Sequence, residues 1–195
     1  MKRLLLLCLC LAFALGVGAV SVWADDDTPP PAGTHAACAT ATGGDDDAAG
    51  EDNGAADERE GTPGADDEHG TRRDDDIDGN EGDDDIAGEA GDDDLCGDAG
   101  DDHISGGAGD DKLSGGPGDD VENGGAGDDD VEGNRGDDRL TGGSGVDRIL
   151  AGARNDRIFV RDGRRDHVSC GSGDDTVTAD RGDAIAASCE HVHRS

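Results

Sequence analysis

Aspartate recurs every ninth residue along the middle of the chain, from Asp84 through Asp93, Asp102, Asp111, Asp120, Asp129, Asp138 and Asp147 to Asp156. Each of the first eight follows two glycines at fixed distance, as Gly79 and Gly82 precede Asp84. Carboxylates and turn carbonyls are hard oxygen ligands. A Ca²⁺ ion takes about six to eight such oxygens at roughly 2.3–2.6 Å. One turn cannot supply that many, whereas two stacked turns can. Glycine suits such turns because it permits positive φ and close backbone approach.

These aspartates sit in a nine-residue repeat running without a gap from Gly79 to Phe159, beginning GNEGDDDIA, GEAGDDDLC and GDAGDDHIS. Position 6 is Asp in all nine units, positions 1 and 4 are Gly in eight, and position 8 is Ile, Leu or Val in eight. Codon bias toward Gly, Ala and Asp accounts for composition but not for phase. A period of nine is neither helical nor a plain strand alternation. The three residues x-U-x suit a short strand with one aliphatic inward, and the six residues GGxGxD suit a tight turn. The chain is therefore expected to coil, with parallel strands stacked along an axis and ions between successive turns. The unit with Val121 at position 7 and Glu122 at position 8 is expected to be a local defect in the core. The repeat fades at both ends. Residues 70–78 keep Asp75 and Ile77, and residues 61–69 keep only Gly61, Gly64 and Asp66. One residue is inserted after Phe159, and aliphatics continue at Val168, Val177, Ile185 and Val192. Such an irregular end suits the cap that a repeat stack requires.

The pattern resembles GGxGxDxUx, the RTX or haemolysin-type calcium-binding nonapeptide. The resemblance covers residues 70–159 well and the segment to about 192 loosely. It implies an all-β fold, a parallel β-roll (a β-helix-like solenoid) with two nonapeptides per coil, that binds several Ca²⁺ ions. It implies side-chain ligands at Asp84, Asp93, Asp102, Asp111, Asp120, Asp129, Asp138 and Asp147. Asp75 extends that series. Asp156 stands apart, because Ala151 and Arg154 replace its glycines. Gly occupies position 2 in only five of nine units, so some turns are expected to bind weakly. Cys170 and Cys189 flank a segment resembling the end region of many secreted bacterial proteins with these repeats, and are expected to pair. Larger members of the family carry catalytic or toxin domains ahead of the repeats. Here only residues 25–69 precede them.

Composition points the same way. The chain has 195 residues, 49 Asp+Glu against 16 Lys+Arg, 35 Gly, one Trp, two Phe and no Tyr. The inward aliphatics bury too little surface to offset the ordering of so many backbones. Like-charge repulsion widens that deficit. Ca²⁺ addresses both, so the chain is expected to be mostly disordered without the ion and folded with it. No nucleic-acid partner is expected, because a polyanion repels phosphates.

Residues 1–24 read as a secretory signal: Met1-Lys2-Arg3, an apolar run from Leu4 to Val22, and cleavage after Ala24. An uncleaved anchor is the rival reading. With cleavage the protein is secreted and no membrane association follows. Residues 25–69, rich in Asp, Ala, Gly and Pro, read as a disordered acidic linker. Residues 70–159 are then the repeats, and 160–195 a degenerate repeat and C-terminal cap. After cleavage Cys38, Cys96, Cys170 and Cys189 remain, with three possible pairings. Cys38 and Cys96 are expected either to pair or to stay free, and Cys96, at position 9, to face outward, where it can react.

Competing motifs are weaker. Asp74 to Asp85 spaces its acids like an EF-hand loop but lacks the terminal Glu and the flanking helices. Arg135-Gly136-Asp137 and Arg181-Gly182-Asp183 arise easily in a chain of this composition. His191 and His193 read as solvated surface residues. There is neither HExxH nor GxSxG, so no enzymatic activity is expected. The expectation is a secreted Ca²⁺-binding repeat protein. The alternative is an extracellular structural or adhesive spacer that Ca²⁺ makes rigid.

Overall fold

The structure, a computed structural model, describes residues 58–195. The signal reading of residues 1–24, Cys38, and the linker reading of residues 25–57 fall outside the described residues. The rest is strand and turn. In chain order the strands are β1 (Glu58–Glu60), β2 (Asp67–His69), β3 (Asp76–Asp78), β4 (Asp85–Ala90), β5 (Asp94–Cys96), β6 (His103–Ala108), β7 (Lys112–Pro117) and β8 (Val121–Ala126). They continue with β9 (Asp130–Arg135), β10 (Arg139–Ser144), β11 (Arg148–Leu150), β12 (Arg157–Val160), β13 (His167–Ser169), β14 (Thr176–Ala179), β15 (Ala184–Ile185) and β16 (His191–Arg194).

Odd-numbered strands form one eight-stranded sheet and even-numbered strands the other. Every pairing is parallel. The register advances by two repeats, as Asp76 pairs with Asp94 and Lys112 with Asp130. One coil is therefore two nonapeptides, and successive units alternate between the sheets. The result is the parallel β-roll that the repeat implies. The residue inserted after Phe159 is absorbed without a break: Arg148 pairs with His167 and Arg157 with Thr176.

The period puts one side chain per unit inside. Ile77, Ile86, Leu95, Ile104, Leu113, Val131, Leu140, Ile149, Ile158, Val168 and Val177 are all buried in a single cluster. They stack in register within each sheet, Leu95 on Leu113 and Ile86 on Ile104. Glu122 takes the position-8 slot in β8, between Ile104 and Leu140. A one-residue slip would put Val121 inside but turn the rest of its strand over. The chain keeps register and buries the acid.

The strands are longer than x-U-x in the middle of the roll. β4 and β6 to β10 each run for six residues, through positions 1 to 3 of the next unit. The glycines there pair as strand residues, Gly107 with Gly125 and Gly125 with Gly143. Their lack of Cβ lets the strand continue where the coil bends. Position 2 keeps a positive φ whether or not it is Gly: Asn80 (70°), Glu89 (75°), Asp98 (63°) and Asn134 (69°) all adopt it. Asn and Asp tolerate this region better than most residues.

The roll starts earlier than the glycine pattern does. β1 and β2 lie within the 25–69 stretch whose composition reads as linker. They pair with β3 and β4. Their inward positions are Arg59 and Glu68, so a polar pair closes that end and hides the aliphatic period. At the other end a disulfide joins Cys170 to Cys189, with Cα atoms 5.1 Å apart. Ile185, Cys189 and Val192 pack against the core there. Cys96 does not face outward as its position suggests. It is 5% exposed and disulfide-bonded, with its partner outside the described residues.

Candidate metal centre

Each turn ends at its position-6 aspartate, immediately before a strand. Asp84, Asp93, Asp102, Asp111, Asp120, Asp129, Asp138 and Asp147 are all buried, none more than 3% exposed. They form a file along the roll. The Oδ1 of each accepts a hydrogen bond from the backbone N–H of the aspartate one coil earlier: Asp84 N–H to Asp102 at 2.9 Å, Asp102 N–H to Asp120 at 2.9 Å, Asp120 N–H to Asp138 at 2.9 Å. The alternate units repeat this, Asp93 N–H to Asp111 at 2.9 Å and Asp111 N–H to Asp129 at 3.0 Å.

The second oxygen is different. Along the file, Oδ2 of eleven aspartates is buried with no hydrogen-bond partner. The eleven are the eight above together with Asp156, Asp166 and Asp175. A buried carboxylate oxygen without a partner is costly. Position 1 explains where these oxygens point. A Cβ placed on Gly88 would collide with Asp93 Oδ2 and the carbonyl of Gly106, and one on Gly106 with Asp111 Oδ2 and the carbonyl of Gly124. The glycine leaves a space bordered by a free carboxylate oxygen and a carbonyl of the next coil.

Asp156 keeps this geometry despite losing its glycines. It is 1% exposed, and its Oδ1 accepts from Asp138 N–H at 2.9 Å. Ala151 fits in place of Gly, and Arg154 takes a φ of 96°. Asp166 and Asp175 carry the file into the irregular segment. Their signal was legible as Asp-x-aliphatic in Asp166-His167-Val168 and Asp175-Thr176-Val177. Asp75 differs. Its Oδ2 accepts from Thr71 N–H at 2.6 Å, so local donors satisfy it. Asp183 at the far end does likewise with Asp180 N–H at 2.6 Å.

Burial pushes the whole file upward in pKa, against the backbone hydrogen bonds that pull down, and neighbouring aspartates add to the rise. Asp93, Asp102 and Asp166 reach about 6, Asp120, Asp129 and Asp156 about 7, and Asp138 about 8. Without a counter-charge the site resists the ionised form.

A second file, at position 5, was not anticipated as structural. Asp83, Asp92, Asp101, Asp110, Asp119, Asp128 and Asp137 point the other way. Each Oδ1 accepts from the backbone N–H one coil later, Asp101 N–H to Asp83 at 3.0 Å and Asp119 N–H to Asp101 at 2.9 Å. The recurrence of Asp at position 5 in seven of nine units was its signal.

Among the described residues no three carboxylate, imidazole or thiol groups converge on one point. Side chains arrive one per turn, so a cation here draws its other oxygens from turn carbonyls. Orphaned carboxylate oxygens, a space kept clear of Cβ atoms and an all-oxygen donor set fit a hard divalent cation.

The RTX calcium-binding nonapeptide repeat model matches four times, over residues 60–95, 90–122, 123–158 and 162–184. The chain belongs to that family. RTX repeats bind Ca²⁺, and this is a calcium-binding repeat protein. The first match begins at residue 60, within the stretch that reads as linker by composition. No curated protein and no solved structure matches the chain. The acidic residues of the other motifs fall within the aspartate files, as Asp183 Oδ1 accepts from Asp166 N–H at 3.3 Å. Asp183 of the second Arg-Gly-Asp is buried, and His191 Nε2 is 2.8 Å from Asp174 Oδ1 on the surface.

Proposed function

We propose that this is a secreted RTX repeat protein, without enzymatic activity, whose roll assembles as Ca²⁺ binds along the inner aspartate file. The observation that carries the reading is the row of eleven buried Oδ2 atoms without partners. Asp84, Asp93, Asp102, Asp111, Asp120, Asp129, Asp138 and Asp147 would hold the ions, and Asp156, Asp166 and Asp175 extend the set. Bound Ca²⁺ supplies positive charge and the missing oxygen contacts. The chain's own part is to fix one carboxylate per turn by a backbone hydrogen bond and to keep position 1 empty of side chain. Folding and binding are then one equilibrium. Before Ca²⁺ is met the chain stays open, which suits passage through an export channel.

The test is far-UV circular dichroism of the purified chain through a Ca²⁺ titration, with Mg²⁺ as control. A cooperative coil-to-sheet transition with Ca²⁺ alone is expected. Equal sheet content in Ca²⁺ and in chelator would sink the coupled-folding mechanism.

A further inference from the structure

Glu122 is the residue that the repeat does not explain. It is 1% exposed, and neither Oε1 nor Oε2 has a hydrogen-bond partner. The inward Glu68 is partly offset by Arg59 nearby. Burial bears most heavily on the charge of Glu122, the carboxylates of Asp120 and Asp138 add to it, and the nearby backbone N–H of Gly115 only partly offsets them.

Its direction is the informative point. Ile86, at position 8 of the first unit, leans toward the position-1 glycine of its own unit. In the first unit Ile86 Cδ1 lies 3.2 Å from where a Cβ on Gly79 would be, beside Asp84 Oδ2. In the fifth unit the same place is taken by a carboxylate. A Cβ on Gly115 would sit within 2.5 Å of both Asp120 Oδ2 and Glu122 Oε1. Two orphaned carboxylate oxygens therefore border one buried space. Like charges in low dielectric do not stay together without a counter-charge.

We propose that Glu122 is an additional Ca²⁺ ligand, acting with Asp120, and that this turn is the tightest site of the roll. The inference rests on the calcium reading above and adds a residue from a position that otherwise builds core. An extra anionic oxygen raises affinity for a hard cation.

The test is Ca²⁺ binding by isothermal titration calorimetry on the full chain and on E122L, E122Q and L140V. E122L restores the aliphatic of the other units, so its folding is favoured. L140V disturbs the adjacent core slot without changing charge. The expected result is that E122L loses one bound ion, or that its tightest class weakens by about tenfold or more. E122Q, which keeps a neutral oxygen, falls between, and L140V matches the parent. Unchanged ion number and affinity in E122L would overturn the proposal and leave Glu122 a neutral acid in the core. An equal loss in L140V would also overturn it, by assigning the effect to packing. If the parent itself binds no Ca²⁺, the calcium reading fails with it.

Discussion

The position-5 and position-6 aspartates are neighbours in sequence and in space, yet the coil treats them as opposites. The outer residues are exposed, and each accepts an N–H from the coil after it, as Asp119 does from Asp137 at 2.9 Å. The inner residues are buried, and each accepts an N–H from the coil before it. Where both files are present, from Asp83 to Asp138, each junction is stitched in both directions. The outer carboxylates keep a free face toward water, so their charge is solvated. The inner ones carry a second oxygen that neither protein nor water reaches. One amino acid thus serves as a solvated staple at one position and as an unmet ligand at the next. Exposure is what separates the roles.

That contrast can be broken most severely at the inner file. D111A removes the acceptor for Asp93 N–H and one free Oδ2. The lost charged hydrogen bond alone costs about 1.5–3 kcal/mol. A further loss of Ca²⁺ affinity is expected, seen as a higher Ca²⁺ midpoint and a reduced ion number. D111N keeps the acceptor and loses the charge, so it is expected to recover stability but not affinity. A Ca²⁺ midpoint equal to that of the parent in both variants would remove the inner file from the binding site.

Proton binding gives the next effect. Inner carboxyls are raised in the folded, metal-free chain to about 6–8 at Asp93, Asp138 and others, from 3.8. The folded state therefore binds more protons than the unfolded one. Its stability is present at low pH and is lost as pH rises through that range. In Ca²⁺-depleted buffer, circular dichroism is expected to show more sheet at about pH 5 than at about pH 8. Protons compete for the same oxygens, so the Ca²⁺ midpoint is expected to rise on acidification. Metal-free sheet content that increases with pH would contradict the direction of these shifts.

The smallest effect belongs to the outer file. D110A removes an exposed acceptor for Asp128 N–H. The expected cost is about 0.5–1 kcal/mol in thermal or denaturant unfolding, with ion number unchanged. A D110A variant as damaging as D111A would erase the distinction between the two files. Reduction of Cys170–Cys189 lies between these cases, at about 3 kcal/mol on the chain-entropy view, since it frees the end of the stack.

The period of nine, the inward aliphatics and the eight glycine-flanked aspartates are local and repeated. Phase therefore pointed to a coil with an aliphatic core, and the family resemblance it carries implied two nonapeptides per coil and the candidate ligands. The ends were less legible. Arg59 and Glu68 occupy inward slots at the margin, so β1 and β2 carry no aliphatic period although their backbone pairs in register. Asp156 looked impaired because its glycines were missing. Register imposed by neighbouring coils holds it in place regardless.

By itself, then, the sequence determined the repeat, the sheet architecture and the acid file, because each depends on a residue's place within its own unit. Only the tertiary structure decided which of two adjacent aspartates is buried, that the glycine of position 1 makes room for a carboxylate oxygen, and that Glu122 keeps register and meets Asp120. Those facts depend on residues eighteen apart in the chain being stacked, and on whether water reaches the space between them. Neither property is written in any single unit.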